Sequence, residues 1–220
     1  MLADNVAQML TFSEEKVVVA QGYQRIAGID EVGRGCLAGP LVAAAVIMPI
    51  NRKPRWYTKV NDSKLLTAKQ RDLLYHCIQE IALGIGVGIV SHEVIDAQGM
   101  TKATRMAMSQ AVSQISPLPD YLLIDYFVLP GLPLPQKGIK DGDSLCFSIA
   151  CASIVAKVTR DRMMDELDKT YPGYGLAQHK GYGTKGHIAC LRKLGPCPIH
   201  RRSFQPVQEI MGRISNQNEV

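Results

Sequence analysis

The segment with the most chemical potential covers residues 28–35 and contains two adjacent carboxylates, Asp30 and Glu31, at the end of an apolar stretch. Buried carboxylates are unfavourable unless a cation or another partner compensates them. Because adjacent strand residues point to opposite faces, the two acids could share a metal ion only if the strand breaks there, and the glycines that follow would supply the break. The alternative is an exposed polar turn in which Arg34 pairs with one acid.

Two further acids follow other predicted elements. An apolar stretch at 121–124 leads into Asp125, and Asp143 stands after Gly142 at the start of a predicted long helix. An acid at that position is often only an N-cap, which is the alternative for Asp143. The first half of this helix is rich in small residues, so it must pack closely against another element, and the strand of Asp30 would suit.

The four acids would then converge without any His or Cys. Carboxylate oxygens favour Mg²⁺ or Mn²⁺ and disfavour Zn²⁺. Four carboxylates could hold two such ions, an arrangement that stabilises both the attacking and the leaving oxygen in phosphodiester hydrolysis.

Two polar loops could contact nucleic acid. In the loop 178–185, Tyr182 stands between glycines and could lie flat on a sugar or base, while Lys180 and Lys185 could reach phosphates. The alternative is an ordinary turn with a solvated Tyr. The segment 61–64, Asn-Asp-Ser-Lys, could contact phosphate through Ser63 and Lys64, or could simply cap the following helix.

Hydrophobic patterns predict the elements that position these residues. Strands are predicted at 24–30, 41–50, 85–90 and 121–125, and helices at 67–82, 101–115, 144–169 and 184–194. The Pro- and Gly-rich segment 128–138 predicts a loop. Gly84, Gly86 and Gly88 predict close packing on one strand face. Together these elements predict an α/β or α+β fold with a central mixed sheet in one domain over residues 1–220, with a small helical appendage from about residue 170.

Composition narrows the class of protein. The chain has 220 residues, of which 46% are hydrophobic and 20% charged, as in globular domains. Its longest apolar runs, 41–50 and 81–90, are too short to span a membrane, and the N-terminus lacks a secretory pattern. We therefore expect a cytoplasmic protein whose six cysteines are reduced thiols, at least three of them in the core.

The net charge of +5 lies entirely in the C-terminal part of the chain. Residues 137–220 contain 13 basic and 8 acidic residues, whereas residues 1–136 contain 12 of each. A basic region favours a polyanionic partner, because Lys and Arg neutralise phosphates, although a solvated basic face has the same composition.

The motifs, in their order along the chain, resemble those of bacterial ribonuclease HII over roughly residues 24–204. They are IDEVGRG at 29–35, LAGPLVAAAV at 37–46, NDSK at 61–64, LID at 123–125, GDS at 142–144, SIACASIVAKVTRD at 148–161, YPGYG at 171–175 and HKGYGT at 179–184. The related type HIII usually has an additional N-terminal domain and a threonine where Arg34 stands, so the resemblance favours type HII.

This resemblance implies a ribonuclease H-like fold with a five-stranded mixed sheet. It implies an endonuclease that cuts the RNA strand of RNA–DNA hybrids and the 5′ side of single ribonucleotides in duplex DNA. It also implies metal ligands and catalytic groups at Asp30, Glu31, Asp125 and Asp143, ribonucleotide recognition at Gly33, Arg34 and Gly35, and a ring at Tyr182 that stacks against the sugar at the RNA–DNA junction. Ser63, Lys64 and Lys180 remain the nucleic-acid contacts expected from the two polar loops. Recognition of the 2′-OH by the turn Gly33–Gly35 is chemically reasonable, because the 2′-OH is the group that distinguishes RNA from DNA.

Three positions depart from the pattern of that family. Leu65 stands where a second lysine is frequent, Tyr126 replaces a commoner small residue, and Cys151 replaces an alanine. None of them removes an expected ligand.

The resulting hypothesis is two-metal hydrolysis that leaves a 5′-phosphate and a 3′-hydroxyl, carried out by a monomer in ribonucleotide and RNA-primer removal. One rival is a DNA nuclease of the same fold that ignores the 2′-OH. The other is a non-catalytic hybrid-binding protein, which the four acids disfavour because unpaired carboxylates beside phosphates weaken binding.

Overall fold

A computed structural model describes residues 10–60, 63–64 and 66–217. The predictions made for Asn61, Asp62 and Leu65 therefore fall outside the described residues. Within the described part of the chain, no helix is long and apolar enough to cross a membrane.

The centre of the molecule is a five-stranded mixed sheet with the strand order β3-β2-β1-β4-β5. β1 is antiparallel to β2 and parallel to β4, so the sheet is mixed as predicted. The strands are β1 (Ile26–Val32), β2 (Leu41–Ile47), β3 (Gly84–Val90), β4 (Tyr121–Asp125) and β5 (Gln136–Ile139).

Nine α-helices are found in the described residues and pack around this sheet. They are α1 (Ser13–Ala20), α2 (Ala68–Ile81), α3 (His92–Gln98), α4 (Met100–Gln114), α5 (Gly142–Leu145), α6 (Phe147–Thr170), α7 (Leu176–His179), α8 (Lys185–Leu194) and α9 (Gln205–Gln217). Two main hydrophobic clusters lie on opposite faces of the sheet, one including residues of α2 and α6 and the other residues of α3 and α4.

Glycines bring helices into backbone contact with both faces of the sheet. A Cβ atom placed on Gly28 of β1 would lie 2.1 Å from the carbonyl carbon of Ser148 in α6. On the other face, Cβ atoms on Gly86 and Gly88 would lie 2.1 and 1.9 Å from carbonyl oxygens of α4. Both predictions of close packing, for the small-residue helix against the strand of Asp30 and for the glycine strand, are confirmed.

The structure corrects three predicted elements. The helix predicted over 144–169 is divided at Cys146, whose extended backbone separates α5 from α6. The predicted loop 128–138 contains the start of β5, which is short and half polar and lies at an edge of the sheet. The helix predicted over 184–194 was expected to be the last one, but α8 is followed by α9, which begins beside Pro206, a residue well suited to the first turn of a helix.

Candidate active site

Three of the four predicted ligands meet at one end of the sheet. One carboxylate oxygen from each of Asp30, Glu31 and Asp125 lies within 4.8 Å of the other two. Asp30 and Glu31 belong to β1, and Asp125 is the last residue of β4. Parallel neighbouring strands end at the same edge of a sheet, which explains why chain segments almost a hundred residues apart deliver these side chains together.

The prediction that the strand breaks at Asp30 and Glu31 is wrong. β1 stays paired with β2 through Val32, so the two acids remain on one strand. The pairing of β1 with β4, however, ends at Ile29 opposite Ile124. Beyond that point β4 no longer separates the two faces of the sheet, so carboxylates that leave β1 on opposite faces can meet where Asp125 lies.

Burial and mutual repulsion disfavour the charged forms of these acids. The pKa of Asp30 is raised well above its ordinary value by burial and then by the charges of Glu31 and Asp125. Hydrogen bonds from the Ser153 hydroxyl and from the Glu31 N–H, the latter at 2.7 Å, only partly offset this.

Glu31 and Asp125 show the same effect. Burial raises the pKa of Glu31 to about 7, against the opposing charge of Arg34, whose Nη1 lies 3.5 Å from Oε1. Burial also raises the pKa of Asp125, although the Gly142 N–H donates to its Oδ1 at 2.7 Å. The interpretation in which Arg34 simply neutralises one acid is therefore incomplete.

The donor set fits a divalent cation. Oε2 of Glu31 is buried and has no hydrogen-bond partner among the described residues. An unpartnered buried oxygen beside two other carboxylates needs positive charge, and an all-oxygen set suits Mg²⁺ or Mn²⁺.

Asp143 lies outside this group of three. It follows Gly142 in α5, is 8% exposed, and its Oδ2 accepts a hydrogen bond from Lys64 Nζ at 3.1 Å. The N-cap position of α5 belongs to Asp141, so capping does not explain Asp143. The charge of Asp143 nevertheless contributes to the raised pKa of Asp125, which places it beside the cluster.

Ser63 joins the same neighbourhood from the loop before α2. It is 4% exposed, and its hydroxyl lies 2.9 Å from that of Ser153, the residue that hydrogen-bonds Asp30. Ser63 and Lys64 therefore border the acids from one loop, as the predicted phosphate contact requires.

Two arginines that sequence reasoning missed hydrogen-bond the loop of residues 33–40, which begins with the turn Gly33–Gly35. Arg160 donates to the carbonyls of Ala38, Pro40 and Lys180 at 2.8–3.1 Å. Arg201 donates to the carbonyls of Arg34 and Gly39 at 2.9–3.1 Å. Both side chains are completely buried, and no pattern of residue types marks a cation that tertiary structure buries.

Tyr182 lies beside this turn. An antiparallel bridge pairs it with Cys36, and the Leu37 N–H donates to the Gly181 carbonyl at 2.8 Å. The residue is 39% exposed, and Lys157 Nζ lies 5.8 Å from the centroid of its ring. The loop of Tyr182 and the glycine turn thus form one surface.

Lys180, for which a phosphate contact was predicted, forms an ion pair within the protein. Its ammonium group binds the carboxylate of Asp165 and lies 3.3 Å from the carbonyl of Asp161. A phosphate contact by Lys180 therefore requires it to leave Asp165.

A directional hydrogen-bond chain fixes the backbone of Tyr182. The Cys197 N–H donates to His200 Nδ1 at 3.0 Å, His200 Nε2 lies 3.0 Å from His187 Nε2, and His187 Nδ1 lies 2.9 Å from the Tyr182 carbonyl. A carbonyl only accepts, so His187 donates there and accepts from His200. Both rings must be neutral, and burial lowers both pKa values, that of His200 to about 4.

The cysteines take no part in the acidic group. All six are free thiols, and Cys36, Cys146 and Cys151 are buried, as predicted.

Comparison with solved structures defines the class of protein. The crystal structure of ribonuclease H2 from Pyrococcus horikoshii OT3 matches with a TM-score of 0.75 at 26% identity, covering 87% of this chain and 99% of that one. The fold is therefore ribonuclease H-like, with the carboxylates at the shared end of β1 and β4.

The sequence comparisons are more specific. A model of the family Ribonuclease HII matches residues 27–207. The ribonuclease HII of Dehalococcoides mccartyi is 57% identical over 199 residues, covering 90% of this chain and 94% of the relative. That of Geobacter metallireducens is 50% identical over 208 residues, covering 94% and 96%. The chain belongs to the ribonuclease HII family. It is a ribonuclease H, from a divalent-metal-dependent family of enzymes that act on RNA–DNA hybrids.

Proposed function

We propose that this ribonuclease H cuts duplex DNA on the 5′ side of a single embedded ribonucleotide, as well as the RNA strand of hybrids. Cleavage leaves a 5′-phosphate and a 3′-hydroxyl. The observation that carries this proposal is the placement of the three-acid group next to the surface formed by Gly33–Gly35 and Tyr182.

Asp30, Glu31 and Asp125, with Asp143 at the side, would hold two Mg²⁺ or Mn²⁺ ions. When bound, such ions lower the pKa of water and stabilise the leaving 3′ oxygen. The three acids provide the negative charge, and the unpartnered Oε2 of Glu31 is available as a ligand atom.

The residues around the acids would bind and orient the strand. Gly35 has open space where a side chain would project, so backbone can approach a 2′-OH there. Arg34, with 43% of its side chain exposed, can bind the adjoining phosphate. Tyr182 supplies a ring face for the sugar at the junction.

One serine and two lysine side chains are proposed to contact the remaining phosphates. Ser63 and Lys64 border Asp143 and Ser153, and would contact the phosphate nearest the acids. Lys180 would act farther away, after exchanging Asp165 for a phosphate oxygen.

In the cell, this activity would remove single ribonucleotides and RNA primers from DNA. We propose that the protein acts in the cytoplasm as a monomer. Its six free thiols suit a reducing compartment.

The test uses an end-labelled DNA duplex with one ribonucleotide, its all-DNA counterpart and an RNA–DNA hybrid. Each is incubated with Mg²⁺, Mn²⁺ or a chelator, with Asp125→Asn as the inactive control protein. We expect one metal-dependent cut 5′ to the ribonucleotide and none in the all-DNA duplex. Cutting of both duplexes would assign the chain to DNA nucleases instead, and cutting of the hybrid alone would limit the activity to continuous RNA.

A further inference from the structure

Three non-glycine residues of the described chain have a left-handed backbone conformation. They are Tyr126, Asp141 and Lys180, with φ values of 59°, 54° and 50°. Each stands within two residues of a proposed site residue. Such conformations are unfavourable for L-residues and concentrate at functional sites.

Tyr126 is the most unusual of the three. Asp tolerates this region comparatively well, whereas a bulky aromatic residue there is an outlier. The surrounding backbone imposes the conformation. The Tyr126 N–H donates to the Ile139 carbonyl at 2.8 Å, and the Phe127 N–H donates to the Asp125 carbonyl at 2.6 Å, which closes a three-residue turn around Tyr126.

Burial does not compensate for this conformation. Tyr126 is 67% exposed, and its ring meets Phe127 edge-on with centroids 5.4 Å apart. Glycine would satisfy the same backbone without strain, so the ring itself has no evident role in folding.

The exposed ring lies at the acidic end of β4. It directly follows Asp125, one of the three clustered acids. The guanidinium of Arg34 lies 5.0 Å from the centroid of the Phe127 ring that supports Tyr126. The buried ring of Phe127 therefore contacts both the exposed ring of Tyr126 and the guanidinium of Arg34, which borders the acids.

We propose that Tyr126 is a substrate-binding residue whose ring stacks on a nucleobase of the strand that passes Asp125. This inference rests on the proposed function, because it assumes that a nucleic acid strand lies along the acids. Exposed aromatic rings bind bases of any sequence by stacking, since every base has a π-face. Tyr126 and Tyr182 would then contact the nucleic acid through two separate loops.

The experiment compares Tyr126→Gly, Tyr126→Asn and Tyr126→Phe. Gly and Asn accept the positive φ without the ring, whereas Phe keeps the ring without the hydroxyl. Dissociation constants are measured by fluorescence anisotropy with the single-ribonucleotide duplex in chelator, and KM and kcat with Mn²⁺. Leu118→Ala is the control, because Leu118 is 65% exposed and precedes the opposite end of β4.

We expect Kd and KM to rise about fivefold to tenfold for the Gly and Asn variants, with a smaller change in kcat. The Phe variant and the Leu118 control should stay within twofold of wild type. The melting temperature of Tyr126→Gly should equal or exceed that of wild type, because the strain is removed.

Wild-type binding for Tyr126→Gly would overturn the stacking role. So would lower melting temperatures for both Gly and Asn variants together with weaker binding, since that pattern indicates a structural residue. Failure of the proposed function gives a different result, namely a wild-type protein that does not cut the duplex at all.

Discussion

Two regions bordering the loop of residues 33–40 bury side chains of like charge, and they compensate that charge differently. In the acidic group, burial and mutual repulsion raise the pKa values of Asp30, Glu31 and Asp125, and one buried oxygen lacks a described partner. In the arginine pair, Arg160 and Arg201 are more deeply buried than Glu31 and Asp125, and burial lowers the pKa of Arg201 to about 10. Each arginine nevertheless donates to several backbone carbonyls.

This difference distinguishes a ligand-binding site, the acidic group, from a structural element, the arginine pair. Buried charge that the protein already compensates stabilises one conformation, as the arginine pair does for the loop. Buried charge that it leaves uncompensated favours a ligand of opposite charge. The comparison therefore predicts that mutations in the acids affect catalysis, whereas mutations in the arginines affect folding.

The largest expected effect is the loss of catalysis in the variant Asp125→Asn. Metal stabilisation of the transition state is worth several kcal/mol, so the cleavage rate should fall at least about 1,000-fold. The free energy of unfolding should stay the same or rise, since a repelling charge is removed. Single-turnover cleavage and urea unfolding measure the two quantities, and a fully active variant would contradict the assignment.

The next effect is on stability. Arg201→Leu leaves the carbonyls of Arg34 and Gly39 without their donors, and we expect the free energy of unfolding to fall by about 3 kcal/mol. Arg202→Leu is the matched control, because Arg202 is the adjacent residue and is exposed. Equal urea midpoints for the two variants would show that the buried arginine does not support the loop.

Acid should act in opposite directions on two parts of the molecule. The pKa of Glu31 is raised to about 7, so the folded protein binds this proton more readily than the unfolded chain does. Protonation of Glu31 therefore stabilises the fold as pH falls through 7. His200, with its pKa lowered to about 4, binds a proton more readily when unfolded, so its contribution is lost as pH falls below about 6.5.

The variant His200→Gln isolates the histidine, because both proteins keep the acids. Its stability deficit relative to wild type should shrink by about 2 kcal/mol between pH 7 and pH 5. Urea unfolding of both proteins at the two pH values measures this. A deficit that does not change with pH would mean that His200 is not held neutral.

The smallest effect concerns Tyr182→Ala, which removes a partly exposed ring from the proposed nucleic-acid surface. We expect cleavage at a single ribonucleotide to weaken about tenfold, as for loss of one stacking contact, with little change in folding. Tyr182→Phe, which keeps the ring, should retain activity. Unchanged cleavage by the Ala variant would remove Tyr182 from the site.

Much of the fold could be predicted because its elements have strong local signals. β4 begins and ends where its apolar residues do, and Thr67 caps α2 through a capping box with Gln70. The small residues after Cys146 correctly indicated a helix packed on the strand of Asp30.

Tertiary structure decided what the sequence pattern could not. β5 is too short and polar to show alternation, and it forms because β4 offers a free edge. Asp30 and Glu31 meet because the pairing of β1 with β4 stops at Ile29 while the pairing of β1 with β2 continues, a difference that residue types do not encode. Asp143 stands apart from the other acids because it lies on α5, whose separation from α6 was not predicted.

The backbone contact at Gly28 has a consequence for hydrogen exchange. The strand and α6 touch there through main-chain atoms, with Ile29 and Ile149 both completely buried. No side-chain rotation can admit water, so amides around Gly28 should exchange only when the domain unfolds globally. Their exchange rates would therefore report the full free energy of unfolding, in a segment that ends one residue before Asp30, the first of the clustered acids.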